Sequence, residues 1–169
     1  MDKAACFKLS YGLYLVTAGQ EGKANGQIAN TVFQVTSQPA QIAVSINKGN
    51  YTHEFIRESG KFAVTVLAQS TPMTFIGQFG FKSGRDFDKL RGINVKTDQT
   101  GVPIVLDHGI AYLEAEVRGE MDCGSHTIFL GEMVGGEILS DEEPMTYAYY
   151  HQVKGGKAPK SAPTYAGKL

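Results

Sequence analysis

Between residues 110 and 121, apolar Leu113, Ala115 and Val117 alternate with charged Glu114, Glu116 and Arg118. A period of two sends successive side chains to opposite faces, so this stretch reads as a β-strand with one face on a core and the other in solvent. A lone strand is not stable in water, and the chain supplies partners for it. Shorter runs rich in Val, Ile, Thr and Phe occupy residues 13–18, 31–36, 42–46, 62–67 and 127–134, separated by Gly, Pro, Asn and Ser. Such a set of short strands implies a barrel or a sandwich. The helical signals are brief. Thr52 reads as a hydroxyl cap before residues 53–59, with Gly60 at the C′ position. Thr71 as N-cap and Pro72 at the first helical position open a second helix, which runs through Phe75 and Ile76 until Gly77 and Gly80. Strands outnumber helices and do not alternate with long ones, which disfavours a doubly wound parallel sheet. The expected fold class is mainly β with short helices.

The 169 residues suit one domain, and 42% hydrophobic residues can fill its core. Lys+Arg 16 against Asp+Glu 17 gives a net charge of -1, which argues against nucleic acid or an anionic membrane surface as the main partner. No apolar run approaches the ~18 residues of a membrane span. Cys6 and Cys123 lie far apart with no C-x-x-C, so neither a disulfide framework nor a zinc site is indicated; both read as small structural hydrophobes in a reducing compartment. These features suggest a soluble, cytoplasmic protein. Residues 154–169 carry Gly155, Gly156, Pro159 and Pro163 and almost no apolar residue besides Tyr165, and read as a mobile arm or linker after a domain at 1–153.

Familiar catalytic signatures are missing: there is no G-x-S-x-G, H-E-x-x-H, P-loop or dinucleotide-binding fingerprint. His53, His108, His126 and His151 have no metal-ligand spacing among themselves, so no metal site is expected. What the chain offers is glycine and neutral amide. In Asn25-Gly26-Gln27-Ile28-Ala29-Asn30-Thr31, small residues leave backbone N–H groups approachable and the amides carry neutral donors and acceptors. The segment is either a plain strand entering from a Gly-rich turn or a grip on the edge of a flat heterocycle. Ser45-Ile46-Asn47-Lys48-Gly49-Asn50-Tyr51-Thr52 leads from a strand end into a helix N-terminus, where free N–H groups, hydroxyls and Lys48 suit an anion such as phosphate; its plainer reading is a capped helix. Gly77-Gln78-Phe79-Gly80-Phe81-Lys82-Ser83-Gly84-Arg85-Asp86 combines glycines for close approach, aromatic rings for stacking and cations for phosphate. The alternative there is a solvated loop with Arg85 paired to Asp86 or Asp88. Gly124-Ser125-His126 opens a strand, placing His126 either in an ordinary turn or in a ligand site.

In this order, and joined by Val35-Thr36-Ser37-Gln38-Pro39, Ser59-Gly60-Lys61-Phe62-Ala63-Val64, Asp88-Lys89, Gly101-Val102-Pro103, Phe129-Leu130-Gly131-Glu132 and Ala162-Pro163-Thr164-Tyr165, these segments resemble the flavin reductase-like family over nearly the whole chain. Within it the likeness is to the flavin domains of high-molecular-weight rubredoxins and to flavoredoxins. The resemblance implies an antiparallel Greek-key FMN-binding split β-barrel that dimerises. It also implies FMN as cofactor, NADH or NADPH as electron donor, and a rubredoxin-like, ferric or free-flavin acceptor. Matching motif to motif, Gln27, Ile28, Ala29, Asn30 and Thr31 would hold the isoalloxazine edge. Ser45, Asn47, Lys48, Tyr51 and Thr52, or Lys82, Ser83 and Arg85, would hold the phosphate. Phe79 would stack, and His126 would stand at the flavin and pyridine-nucleotide site. The rubredoxin domain of the two-domain relatives is not part of this sequence, so an external carrier would take its place. The alternatives are a flavin carrier without enzymatic activity and a split-barrel module holding another planar ligand.

Overall fold

The structure, a computed structural model, describes residues 2–20 and 22–165; residues 166–169 of the expected arm lie outside that range. Among the described residues, nine strands and three α-helices follow in the order β1 (Tyr14–Gln20), β2 (Lys23–Ala29), β3 (Val32–Ser37), β4 (Ala40–Asn47), α1 (Tyr51–Ser59), β5 (Lys61–Leu67), α2 (Met73–Phe81), β6 (Val95–Lys96), β7 (Ile104–Val105), β8 (Gly109–Asp122), β9 (His126–Ile138) and α3 (Tyr147–Gln152). Seven strands form one sheet in the order β2-β1-β5-β8-β9-β4-β3, antiparallel at every step. Its two edge strands, β2 and β3, are consecutive in the chain and joined only by Asn30 and Thr31. The sheet must therefore curl until its edges meet. Because β2 and β3 share no ladder, the resulting barrel is split along that seam.

The barrel interior is filled from every strand around it, with Val16, Val44, Ile46, Phe62, Val64 and Phe129 fully enclosed. Burying a side chain of this size contributes ~1.5–3 kcal/mol, so this cluster carries much of the fold. α1 closes one side with Phe55 and Ile56. A second cluster lies outside the barrel, where Phe75, Ile76 and Phe79 of α2 meet Leu13, Leu15, Leu67, Met145 and Tyr150. Gly131 of β9 is required by packing, since a Cβ there would lie 2.7 Å from both Ala115 Cβ and the Phe62 ring.

β8 forms where the alternation puts it, but its faces differ from expectation: the ladder shifts register between Glu114 and Ala115, Ile110, Tyr112, Glu114 and Ala115 are buried, and Leu113 and Val117 are half-buried. Glu114, expected on the solvent face of β8, is fully buried. Its carboxylate accepts hydrogen bonds from Gln99 N, Thr100 N and Thr100 Oγ1, tying the loop before β7 to the barrel. Both helix starts also differ from expectation. α1 is preceded by Asn50, and Thr52 sits inside the first turn with a different partner; Gly60 does end the helix, at φ 66. α2 follows Pro72 and continues through Gly77 and Gly80, while Thr71 Oγ1 donates to Ala68 O. The buried apolar side of α2 outweighs the weak helix propensity of its glycines. Cys6 and Cys123 are free and exposed, not the buried hydrophobes anticipated. No described helix is long and apolar enough to cross a membrane.

Candidate functional site

A cleft of about 320 Å³ opens at the split seam, within the ~300–1,000 Å³ usual for ligand pockets. Four pieces of chain enclose it. The barrel contributes Gln27 to Asn30 from the end of β2, Ser45 and Asn47 from the end of β4, and His126 from the start of β9. The first turn of α1 contributes Tyr51 and Thr52; α2 and the loop after it contribute Ile76, Phe79, Gly80, Lys82, Ser83 and Gly84. The fourth wall is a strap, residues 157–163, backed by Tyr147 and Tyr150 of α3.

β4 and β9 run antiparallel with Asn47 opposite His126, which delivers both side chains to the same mouth of the cleft. β2 turns Asn25 and Gln27 inward, 3% and 8% exposed. Asn25 Nδ2 donates to Thr52 Oγ1 at 2.8 Å, locking β2 to the first turn of α1. The loop after α2 presses on this contact through Gly84, where an added Cβ would overlap the Asn25 amide. Gln27 Oε1 is different. Among the described residues it is the only buried side-chain oxygen or nitrogen without a hydrogen-bond partner. An unsatisfied buried acceptor is unfavourable by ~1–3 kcal/mol, and Gln27 is one of the residues that line the cleft.

The charges are distributed unevenly. Lys48 is held by Asp122 at 2.7 Å, and its ammonium lowers the Asp122 carboxyl below its usual range. Arg85 pairs with Glu54, in place of the anticipated Asp86 or Asp88, and its guanidinium lies 4.6 Å from the centre of the Tyr51 ring. Its hydrogen bond to Glu54 holds that carboxyl low. Neither Lys48 nor Arg85 lines the cleft, whereas Lys82 and Lys89 do. The N-terminus of α1 carries no side-chain cap from Asn50, so N–H groups of its first turn remain available where Tyr51 and Thr52 reach the cleft.

The strap is anchored along its length. Tyr150 Oη donates to Lys157 O at 3.0 Å, and Asn30 Nδ2 donates to Thr164 Oγ1 at 2.9 Å. Tyr147 Oη and Thr164 Oγ1 are 2.7 Å apart, and burial raises the Tyr147 phenol above its ordinary value. Ser161 O accepts twice, from Asn47 Nδ2 at 3.3 Å and from His126 Nε2 at 3.1 Å. Since a carbonyl can only accept, Nε2 carries the proton. In the neutral ring Nδ1 then accepts from Ser125 Oγ, 2.9 Å away.

Of the residues singled out from sequence, the fold brings Gln27, Ile28, Ala29, Asn30, Ser45, Asn47, Tyr51, Thr52, Phe79, Lys82, Ser83 and His126 to one cleft. Thr31 stands behind, donating to Asn30 Oδ1. Lys89, Tyr147 and Tyr150 of α3, and the strap belong to the lining without having been marked as such by the sequence. Asn25 belongs to the same amide-rich segment, residues 25–31. Its neighbourhood of small polar residues was the signal; for Tyr147 and Tyr150 the aromatic run Tyr147-Ala148-Tyr149-Tyr150 was the available one.

Comparison with known proteins gives a consistent picture. A family described as "Flavin reductase like domain" matches residues 6–156. The chain is 54% identical over 165 residues to a high molecular weight rubredoxin of Moorella thermoacetica, covering 98% of this chain and 72% of that protein. It is 53% identical over 165 residues to a ferric-chelate reductase (NAD(P)H) of Archaeoglobus fulgidus, covering 98% of each. A crystal structure of flavoredoxin from Methanosarcina acetivorans superimposes with a TM-score of 0.70 at 26% identity, covering 76% of this chain and 69% of that one.

Proposed function

Given that this chain belongs to the flavin reductase-like family, we propose that it binds FMN in the cleft and acts as an NAD(P)H-dependent oxidoreductase. The observation that carries the reading is Gln27: a buried acceptor without a partner, on a wall of neutral amides, suits a heterocycle that presents a ring N–H among carbonyls. FMN, when bound, supplies a hydride acceptor for NAD(P)H and a one-electron exit toward a rubredoxin-like carrier, ferric iron or free flavin. The chain's own residues then have to bind, orient and exclude water, and no acid–base pair is needed.

In this reading Gln27 to Asn30 hold the ring edge and Thr31 fixes the Asn30 amide. Ser45 and Asn47 line the adjoining wall, and Phe79 gives it an apolar floor. The uncapped first turn of α1, at Tyr51 and Thr52, holds the phosphate together with Lys82 and Ser83. Lys48 and Arg85 act at one remove, ordering this region through Asp122 and Glu54. His126 offers its Nε2–H at the mouth of the cleft, where the nicotinamide carboxamide would take the place of the Ser161 carbonyl.

Residues 1–153 serve as the flavin unit, with the strap added to it. The protein works as a homodimer, a reading supported by Phe33 and Val35 lying exposed on edge strand β3. It works in the cytoplasm, where two exposed free thiols would persist.

The test is a visible spectrum of the purified protein after FMN addition, followed anaerobically with NADH and then NADPH. Flavin bands that bleach with either donor support the reductase. Bands that persist leave a carrier reduced by another protein, and failure to take up FMN overturns the cofactor. His126→Ala is expected to keep FMN and slow its reduction at least tenfold. A parallel loss of flavin would make His126 a cofactor contact instead.

A further inference from the structure

Lys89 is, among the described residues, the only buried lysine or arginine, 5% exposed. It follows the loop after α2 and reaches back to the barrel. Its Nζ donates to Gly26 O at 3.0 Å and to Phe79 O at 3.0 Å, joining β2 to the end of α2. No carboxylate forms an ion pair with it among the described residues, whereas the lysines and arginines that are ion-paired there are all at least about a third exposed. An ammonium has three N–H groups, so one is left without a protein acceptor, and the residue lines the cleft. Burial pushes its pKa down to about 8, so it is still largely charged at neutral pH. Two carbonyls could be bridged by a neutral donor. An unpaired buried charge is unfavourable unless something neutralises it, and the open side of Lys89 is the ligand cleft.

The place of the charge matters. Gly26, whose carbonyl holds the ammonium, is the chain neighbour of Gln27, the residue with the unpartnered acceptor. The uncapped helix start proposed for the phosphate belongs to a different element. We infer that Lys89 supplies the positive charge met by the pyrimidine edge of the bound flavin, and that it thereby makes the site bind reduced flavin in preference to oxidised flavin. The inference rests on the reading of the cleft as a flavin site. Electrons entering the ring place negative charge on the N1–C2 carbonyl edge, and a fixed cation beside that edge stabilises the product selectively. A cation on the phosphate would have no such effect, because the phosphate charge is the same in both redox states.

The experiment compares the FMN-loaded wild type with Lys89→Met and Lys89→Gln, the second retaining a neutral donor toward the two carbonyls in case the first does not fold. Two quantities are measured at pH 7: the affinity for oxidised FMN, from fluorescence quenching, and the midpoint potential of bound flavin, against redox dyes. The expected result is oxidised affinity within about threefold of wild type and at least a tenfold loss of preference for reduced flavin, a fall of about 30 mV for a two-electron couple. Equal weakening of both states would assign Lys89 to the phosphate or to structure alone and overturn the inference, as would an unchanged potential. If wild type takes up no FMN, the flavin reading itself falls, and this inference with it.

Discussion

On the barrel side of the cleft, the backbone is committed before any ligand arrives. β2 is paired with β1 from Lys23 to Ala29, and the end of β4 is paired with the start of β9 from Gln41 to Asn47. The side chains that reach the cleft from there are held by one another, as Asn25 is by Thr52. The strap opposite has no ladder. It is held by side chains of the body, which reach mainly for its carbonyls: Tyr150 for Lys157 O, His151 for Gly156 O, and Asn47 and His126 for Ser161 O. One wall is thus preorganised by the sheet, and the other is laid over it by a few exchangeable hydrogen bonds. In water each such bond contributes only ~0.5–1.5 kcal/mol, less than the burial of one large apolar side chain in the barrel.

The sharpest test of the barrel wall is the charge it carries. In the folded protein Lys89 titrates at about 8, against an ordinary 10.5, because burial disfavours the ammonium. Between these values the unfolded chain binds more protons than the folded one, so stability must rise with pH across that window. Below about pH 8 the full penalty of burying the charge is present. The rise is on the order of 3 kcal/mol. Urea unfolding at pH 7, 8.5 and 10 should show the wild type gaining on Lys89→Met through the window, with the variant lacking this component. Parallel profiles would mean that the ammonium is solvated, and that the wall is less closed than its geometry indicates.

Next in size is the tie between β2 and α1. Asn25→Ala leaves the buried Thr52 hydroxyl without its donor, an expected loss of ~1–3 kcal/mol in urea unfolding. FMN affinity should fall at least tenfold, since both the ring edge and the helix start depend on this contact. Gly84→Ala should act the same way from the other side, because its methyl group would displace the Asn25 amide. If either variant binds FMN at wild-type affinity, the barrel wall is not preorganised by this tie and the contrast with the strap weakens.

The same contrast explains which parts were legible in the sequence. β8, β4 and β5 are rich in apolar and β-branched residues, and their runs marked them within a few residues. β2 also belongs to the sheet, yet its inward residues include Asn25, Gly26 and Gln27, which carry no hydrophobic period; only its chemistry drew attention. Glu114 broke the pattern because three donors from a distant loop compensate its burial, and period alone cannot show a partner so far along the chain. Asn50 preceding α1 was missed because its side chain makes no cap bond, while Thr52 looked like the better cap. The strap was read from Gly155, Gly156 and Pro159 as an arm, and its docking was invisible because it offers main-chain carbonyls, which every residue has. Lys89 stood beside Asp88 in a charged stretch, and nothing local distinguishes it from an ordinary surface lysine.

The smallest expected effect comes from the strap itself. A chain stopped after Gly156 loses Ser161 O, and with it the acceptor that occupies both His126 Nε2 and Asn47 Nδ2. His126 Nε2 is the group proposed to meet the nicotinamide, and Asn47 Nδ2 helps to hold the same carbonyl over it, so in this reading NAD(P)H has to displace the strap before it can bind. Freeing two modest hydrogen bonds should lower the KM for NAD(P)H roughly threefold to tenfold, the equivalent of ~0.5–1.5 kcal/mol, and leave the unfolding midpoint nearly unchanged. Gly156→Ala should reproduce part of this effect with the strap still present, because its methyl group would run into the Tyr150 ring and prevent close seating. A KM that rises, or FMN that washes out, would give the opposite reading. The strap would then be a wall of the site as necessary as β2, and the division between a built side and an added side would not survive.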